Sequence, residues 1–132
     1  PAIAVDAIAL REGTGGVDAL LIRRGSPPWQ GMWAFPGGFV DMGEDPEAAV
    51  LRELLEEAGV SGSEPELFSV RGSPGRDPRK HVISIFYLVQ VDASSVPEAG
   101  DDASHAEWVK LDVLKAEDVA GDHISVIDQL RK

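Results

Sequence analysis

The chain has 132 residues, no cysteine, and 12 basic against 23 acidic side chains, for a net charge of −11. That length carries one domain with a real core. The missing cysteine excludes disulfides and thiolate metal sites, and the charge opposes non-specific binding to nucleic acid. No apolar run is long enough to span a bilayer and no signal peptide is seen, so a soluble, cytoplasmic protein is expected.

Taken in order, Ile3–Leu10 is rich in small and branched apolar residues and reads as a strand. Gly13-Thr14-Gly15-Gly16 is a turn, and Val17–Arg24 returns as a second strand. Gly25–Gly31, with Pro27-Pro28, is a loop. It leads into Trp33-Ala34-Phe35-Pro36-Gly37-Gly38, whose paired glycines permit close approach of the backbone to a ligand. Trp29 and Trp33 are candidates to stack on a base, with core packing the competing role for Trp33.

A helix is expected over Pro46–Ala58. Asp45 supplies the capping oxygen, Pro46 occupies the first position, Glu47 sits in the first turn and Gly59 ends the helix in a left-handed turn. Ala48, Leu51, Leu55 and Ala58 form the apolar stripe expected to face the core. Glu53, Glu56 and Glu57 are expected nearly opposite, crowded at i+3 and i+4. Like charges so spaced cost a few tenths of a kcal/mol per pair, and a hard divalent cation relieves that repulsion. Arg52 can orient a neighbouring carboxylate, and Glu44 is free to contact either Arg52 or a metal shell.

Further on, Glu66–Arg71 is a strand. Arg71, Arg76, Arg79 and Lys80 then fall within ten positions around Ser73-Pro74-Gly75-Arg76-Asp77-Pro78-Arg79, a loop by its Pro and Gly content. In so acidic a chain that loop is a candidate phosphate contact. His81–Val91 is apolar at nearly every position and is expected at the centre of a sheet, buried on both faces. Val96–Ser104 is an acidic loop, Ala106–Leu111 a last strand and Asp112–Asp118 a short helical turn. Asp122 is expected to cap a final helix with Ile124, Ile127 and Leu130 on one face.

Gly38–Val60 follows the pattern G-x5-E-x7-R-E-L-x-E-E-x-G-V at every position. This resembles the Nudix box, and WAFPGG resembles that family's approach to it. The resemblance implies an α/β fold, a Nudix-type α/β/α sandwich with a central mixed β-sheet, over residues 1–132 as one domain. It implies a hydrolase that splits the diphosphate of a nucleoside diphosphate derivative with Mg²⁺ or Mn²⁺. Arg52, Glu53, Glu56 and Glu57 are then the catalytic residues, with metal held by Glu53, Glu56, Glu57 and a backbone carbonyl near Gly38. Glu56 is the favoured general base, with Asp101, Asp102 and Glu107 as alternatives.

SPGRDPR followed by His81 further resembles the corresponding segment of ADP-ribose pyrophosphatases, and of sensor domains in regulators that bind ADP-ribose. On that basis Trp33, Arg71, Arg76, Arg79 and His81 are candidate substrate-binding residues. The expected partner is a small nucleotide, with no nucleic acid or membrane partner and, as is frequent in the family, a homodimer. The first reading is hydrolysis of ADP-ribose to AMP and ribose 5-phosphate. The alternatives are a nucleoside-triphosphate pyrophosphohydrolase clearing damaged nucleotides and a non-catalytic ADP-ribose sensor; the intact box, and the lack of a DNA-binding extension after the final helix, speak against the sensor.

Overall fold

The structure, a computed structural model, describes residues 1–132. Strands β1 (Ala2–Ile8), β5 (Gly37–Phe39), β6 (Ser63–Arg71) and β7 (Val82–Gln90) form one sheet in the order β5-β1-β7-β6. It is mixed: β1 runs parallel to β7, while β5 and β6 are antiparallel to their neighbours. The second sheet is β2 (Leu10–Gly13), β3 (Gly16–Arg24) and β4 (Trp33–Ala34), with β8 (Ala103–Lys110) also paired to β3. Helix α1 is Pro46–Ala58 and α2 is His123–Leu130.

Strand alternation sorts the core into two layers. On one side Val5, Ala7, Leu20, Ile22, Tyr87 and Val89 pack with Ala49, Val50, Leu54 and Ala58 of α1. On the other, Ile8, Ala19, Leu21 and Phe86 pack with Val126 and Ile127 of α2. Successive residues of a strand point to opposite faces, so the helices cover opposite faces of the strands between them. β7 lies between β1 and β6, as its apolar run implies, although Ile83, Ile85 and Leu88 remain half-buried.

The start of α1 follows its local signals. Asp45 Oδ1 accepts from the Glu47 N–H at 2.8 Å, Pro46 stands at the first turn, and Gly59 closes the helix at φ 67° with its N–H on Leu55 O. Asp45→Ala should therefore cost about 1 kcal/mol, read as a lower midpoint in a urea titration. An unchanged midpoint would mean the cap contributes nothing.

Several expectations are corrected. The first predicted strand divides at Ala9, because β1 pairs in one sheet and β2 with β3 in the other. The inward face of α1 is rotated from the one expected. Leu55 is 53% exposed and Ala48 is exposed, while Ala49, Val50, Glu53, Leu54, Glu57 and Ala58 are buried. Counting apolar side chains sends the carboxylates to solvent, yet two of them are enclosed between α1 and β5. The predicted helical turn at 112–118 is two short 3-10 turns, Leu111–Val113 and Ala116–Asp118. The Asp122 side chain makes no capping bond to α2; its carboxylate is taken by Arg76.

Candidate active site

A cleft of about 390 Å³ gathers residues from β1, β5, α1, the 72–81 loop, the loop before β8 and the start of α2. Glu53, Glu57 and Asp101 line its acidic side, and carboxylate oxygens of Glu53, Asp101 and Glu56, which stands outside the lining, lie within 4.8 Å of one another. Asp101, which the acidic loop supplies, completes this group. Glu57 stands apart from it, its Oε1 accepting from the Gly37 N–H at 3.0 Å. Three converging carboxylates are hard oxygen donors of the kind Mg²⁺ and Mn²⁺ take, so the residues fit such an ion.

Arg52 organises that side. Its Nε and Nη2 make paired bonds to Glu44 at 2.7 and 2.9 Å, and Nη1 donates to Glu53 at 2.7 Å and Glu56 at 3.1 Å. The choice left open for Glu44 thus falls to Arg52, whose hydrogen bonds hold the Glu44 carboxyl down at about 2. Burial pushes Glu53 up, and it pushes Glu57 up to about 7, against the Gly37 N–H that favours the charged form.

The two glycines of β5 explain why a side chain is absent there. A Cβ on Gly37 would lie 2.2 Å from Val5 O and 2.4 Å from Asp6 Oδ1, and one on Gly38 would meet the Glu53 carboxylate at 2.5 Å. Consecutive positions of one strand thus leave room for a carboxylate on each face.

The loop of basic residues divides. Arg76 and Arg79 line the cleft. Arg76 is anchored by paired bonds to Asp122 at 2.9 and 2.7 Å and by Ser84 Oγ at 2.8 Å. Arg79 pairs with Asp77 at 2.8 Å and lies over the Phe39 ring. The other three candidate substrate contacts stand outside the cleft. Arg71 ties β6 to α2 through Ser125 and Gln129. His81 Nε2 meets Gly72 O at 2.9 Å and closes the base of the loop. Trp33 is 7% exposed and packs in the α2-side core, with the Arg23 guanidinium over its ring. Of the alternative bases, Asp101 and Asp102 line the cleft. Glu107 does not, facing His105 on β8.

Sequence reasoning passed over Asp6, Arg24 and His123 as site residues. Arg24, at the end of β3, lines the cleft with its Nε on Pro28 O at 2.6 Å. Asp6 and His123 form the floor. Burial pushes Asp6 up to about 8 and His123 down to about 4.

The model of the NUDIX domain matches residues 1–130. The chain belongs to the NUDIX family. Among NUDIX relatives, the ADP-ribose pyrophosphatase of Methanocaldococcus jannaschii is 43% identical over 127 residues, which is 96% of this chain and 71% of that protein. The ADPR responsive transcriptional repressor NtrR of Acinetobacter baylyi is 31% identical over 131 residues, 98% of this chain; the chain spans only 52% of the repressor's length. Among solved structures, the NUDIX domain of Shewanella oneidensis NrtR, complexed with ADP ribose, superposes with a TM-score of 0.87 at 30% identity, covering 98% of this chain and 86% of that one. The α/β/α fold is thus that of NUDIX proteins, and the chain is a Nudix pyrophosphohydrolase. No helix is long and apolar enough to cross a membrane.

Proposed function

We propose that this NUDIX domain, acting as one domain in the cytoplasm, hydrolyses ADP-ribose to AMP and ribose 5-phosphate with Mg²⁺ or Mn²⁺. The observation that carries the reading is one cleft lined by the α1 carboxylates Glu53 and Glu57 and by two arginines, Arg24 and Arg79, while a third, Arg76, is held by Asp122. That arrangement suits a diphosphate, whose charge needs cations on both sides. The substrate itself comes from the relatives: one is named an ADP-ribose pyrophosphatase and another was solved with ADP ribose.

Glu53, Glu56 and Asp101 would hold the ion, with Glu57 and the Gly38 backbone beside them. A divalent ion there supplies neutralisation of phosphate charge and a water of lowered pKa. Arg52 holds Glu53 and Glu56 at fixed angles through its bonds to both, and Glu44 fixes Arg52 in turn. Arg79, always charged and at the mouth of the cleft, grips phosphate oxygens. Glu56, whose side chain is 43% exposed, would serve as the general base for the attacking water.

A second reading is an ADP-ribose sensor, favoured by the 31% identity to a transcriptional repressor. One experiment separates them. The protein is incubated with ADP-ribose, other nucleotide sugars, dinucleoside polyphosphates and nucleoside triphosphates in Mg²⁺, with and without EDTA. AMP and ribose 5-phosphate should form from ADP-ribose and cease in EDTA. Undiminished hydrolysis in excess EDTA would sink the metal role. ADP-ribose bound without turnover would favour the sensor, and preferred turnover of a triphosphate would replace the substrate.

A further inference from the structure

Asp6 is the only charged residue of β1, whose sequence is AIAVDAI. It is 7% exposed, at the floor of the cleft. No group of the protein hydrogen-bonds to its carboxyl. The nearest ion-pair contact, His123 Nε2 to Oδ1, is 3.8 Å, beyond hydrogen-bond reach. His123 is in a matching position. Its Nδ1 accepts from the Phe35 N–H at 3.3 Å, which leaves the ring proton on Nε2. That N–H has no acceptor either.

Such groups are costly to bury unmet. Every fully enclosed side-chain nitrogen or oxygen elsewhere has a partner. The Asp6 carboxyl and the His123 N–H are therefore unmet on the side open to the cleft. Their neighbours are already satisfied: Arg76 is held by Asp122, Ser84 and the Val82 carbonyl, and Glu57 by the Gly37 N–H. The floor thus offers an oxygen and an N–H side by side, with no cation free to receive a phosphate.

We propose that Asp6 and His123 grip the vicinal hydroxyls of a ribose, making this pair a specificity determinant for ribose over deoxyribose. Each hydroxyl both donates and accepts, so two adjacent ones meet the carboxyl and the Nε2–H together. A phosphate is repelled by the acidic residues beside the floor. A flat base is better served by the Trp29 ring, which lies against Gly121 at the side of the cleft. The inference rests on the ADP-ribose reading, and ADP-ribose carries two such diols, one on the adenosine and one on the terminal ribose.

The test is calorimetric binding in Mg²⁺ buffer of two pairs of probes: AMP against 2′-deoxy-AMP, and ribose 5-phosphate against 2-deoxyribose 5-phosphate. Wild-type protein should prefer the ribo member of one pair by about tenfold in Kd, the value of one lost hydrogen bond to a charged or strongly polar group. The pair that shows the preference tells which ribose is held. Asp6→Val suits a strand and removes an unmet polar group, so it should erase the preference with no fall in Tm. A merely structural Asp6 gives the opposite result: lower Tm and an intact preference. Should the valine variant not fold, Asp6→Ala makes the same comparison. Equal binding within both pairs by the wild type, or a preference that survives the substitution, overturns the proposal. Failure of the wild type to bind either AMP or ribose 5-phosphate is a different result, and sinks the ADP-ribose reading along with the grip that rests on it.

Discussion

Glu56→Gln and Glu57→Gln should each yield a folded protein that has lost ~10²-fold or more of its kcat/KM for ADP-ribose. Both lie inside α1, and Gln has nearly the helix propensity of Glu. Their surroundings then separate the two stability outcomes. Glu56 is 43% exposed at its side chain and gives up only a partly solvated bond to Arg52 at 3.1 Å, worth a few tenths of a kcal/mol. Glu57 is 7% exposed, and burial holds its carboxyl up at about 7. The amide oxygen of a glutamine still accepts from the Gly37 N–H, and no charge is buried. The metal-free Glu57→Gln protein should therefore melt no lower than wild type, and should gain less Tm than wild type on adding Mg²⁺. Steady-state kinetics and melting curves with and without Mg²⁺ read all of this. Wild-type rates in both variants would reduce the acidic face to ordinary surface.

What was legible in the sequence is what short-range chemistry writes. Asp45, Pro46 and Gly59 bound α1 because a cap, a proline and a left-handed glycine each act within one turn. The box spacing brings Arg52, Glu53 and Glu56 together for the same reason. The rest of the site is assembled by pairings between distant segments. Asp6 reaches the cleft because β1 lies between β5 and β7, and His123 because α2 packs on the face that Ile8 and Phe86 share. Neither pairing has a local signature. One signal was available for Asp6: a lone carboxylate in an apolar strand must meet a partner or a ligand. The rotated face of α1 teaches a related point: Glu53 and Glu57 are buried against β5, where Gly38 leaves room for one carboxylate and the Gly37 N–H meets the other. The basic loop split because charge clustering in sequence does not say which guanidinium turns inward. Arg76 and Arg79 do, and Arg71 turns to α2.

Arg76→Ala should lower stability by about 2–4 kcal/mol, roughly 10 °C in Tm for a chain of this size. The Arg76 side chain is 8% exposed and spans the 72–81 loop, β7 and the start of α2 through Asp122, Ser84 Oγ and Val82 O. Removing it leaves Asp122 without its cation and Ser84 Oγ without its donor. Asp122 is 33% exposed at its side chain, so solvent recovers part of the loss and the cost stays at the lower end for a buried pair. Arg79→Ala should show itself mainly in the kinetics. Its side chain is 41% exposed, but the Asp77 side chain it holds is only 7% exposed, so Tm should fall as well, and the kinetics are compared at a temperature where the variant is folded. If Arg79 grips phosphate, kcat/KM for ADP-ribose should fall by one to two decades, as one charge-assisted contact of roughly 1.5–3 kcal/mol implies. The double variant Arg76→Ala with Asp122→Ala should recover some of the lost Tm, because no unpaired carboxylate remains. Unchanged Tm in Arg76→Ala would deny the pair its structural role. Normal ADP-ribose kinetics in Arg79→Ala would take the loop out of phosphate binding, leaving Arg24 as the cation to test next.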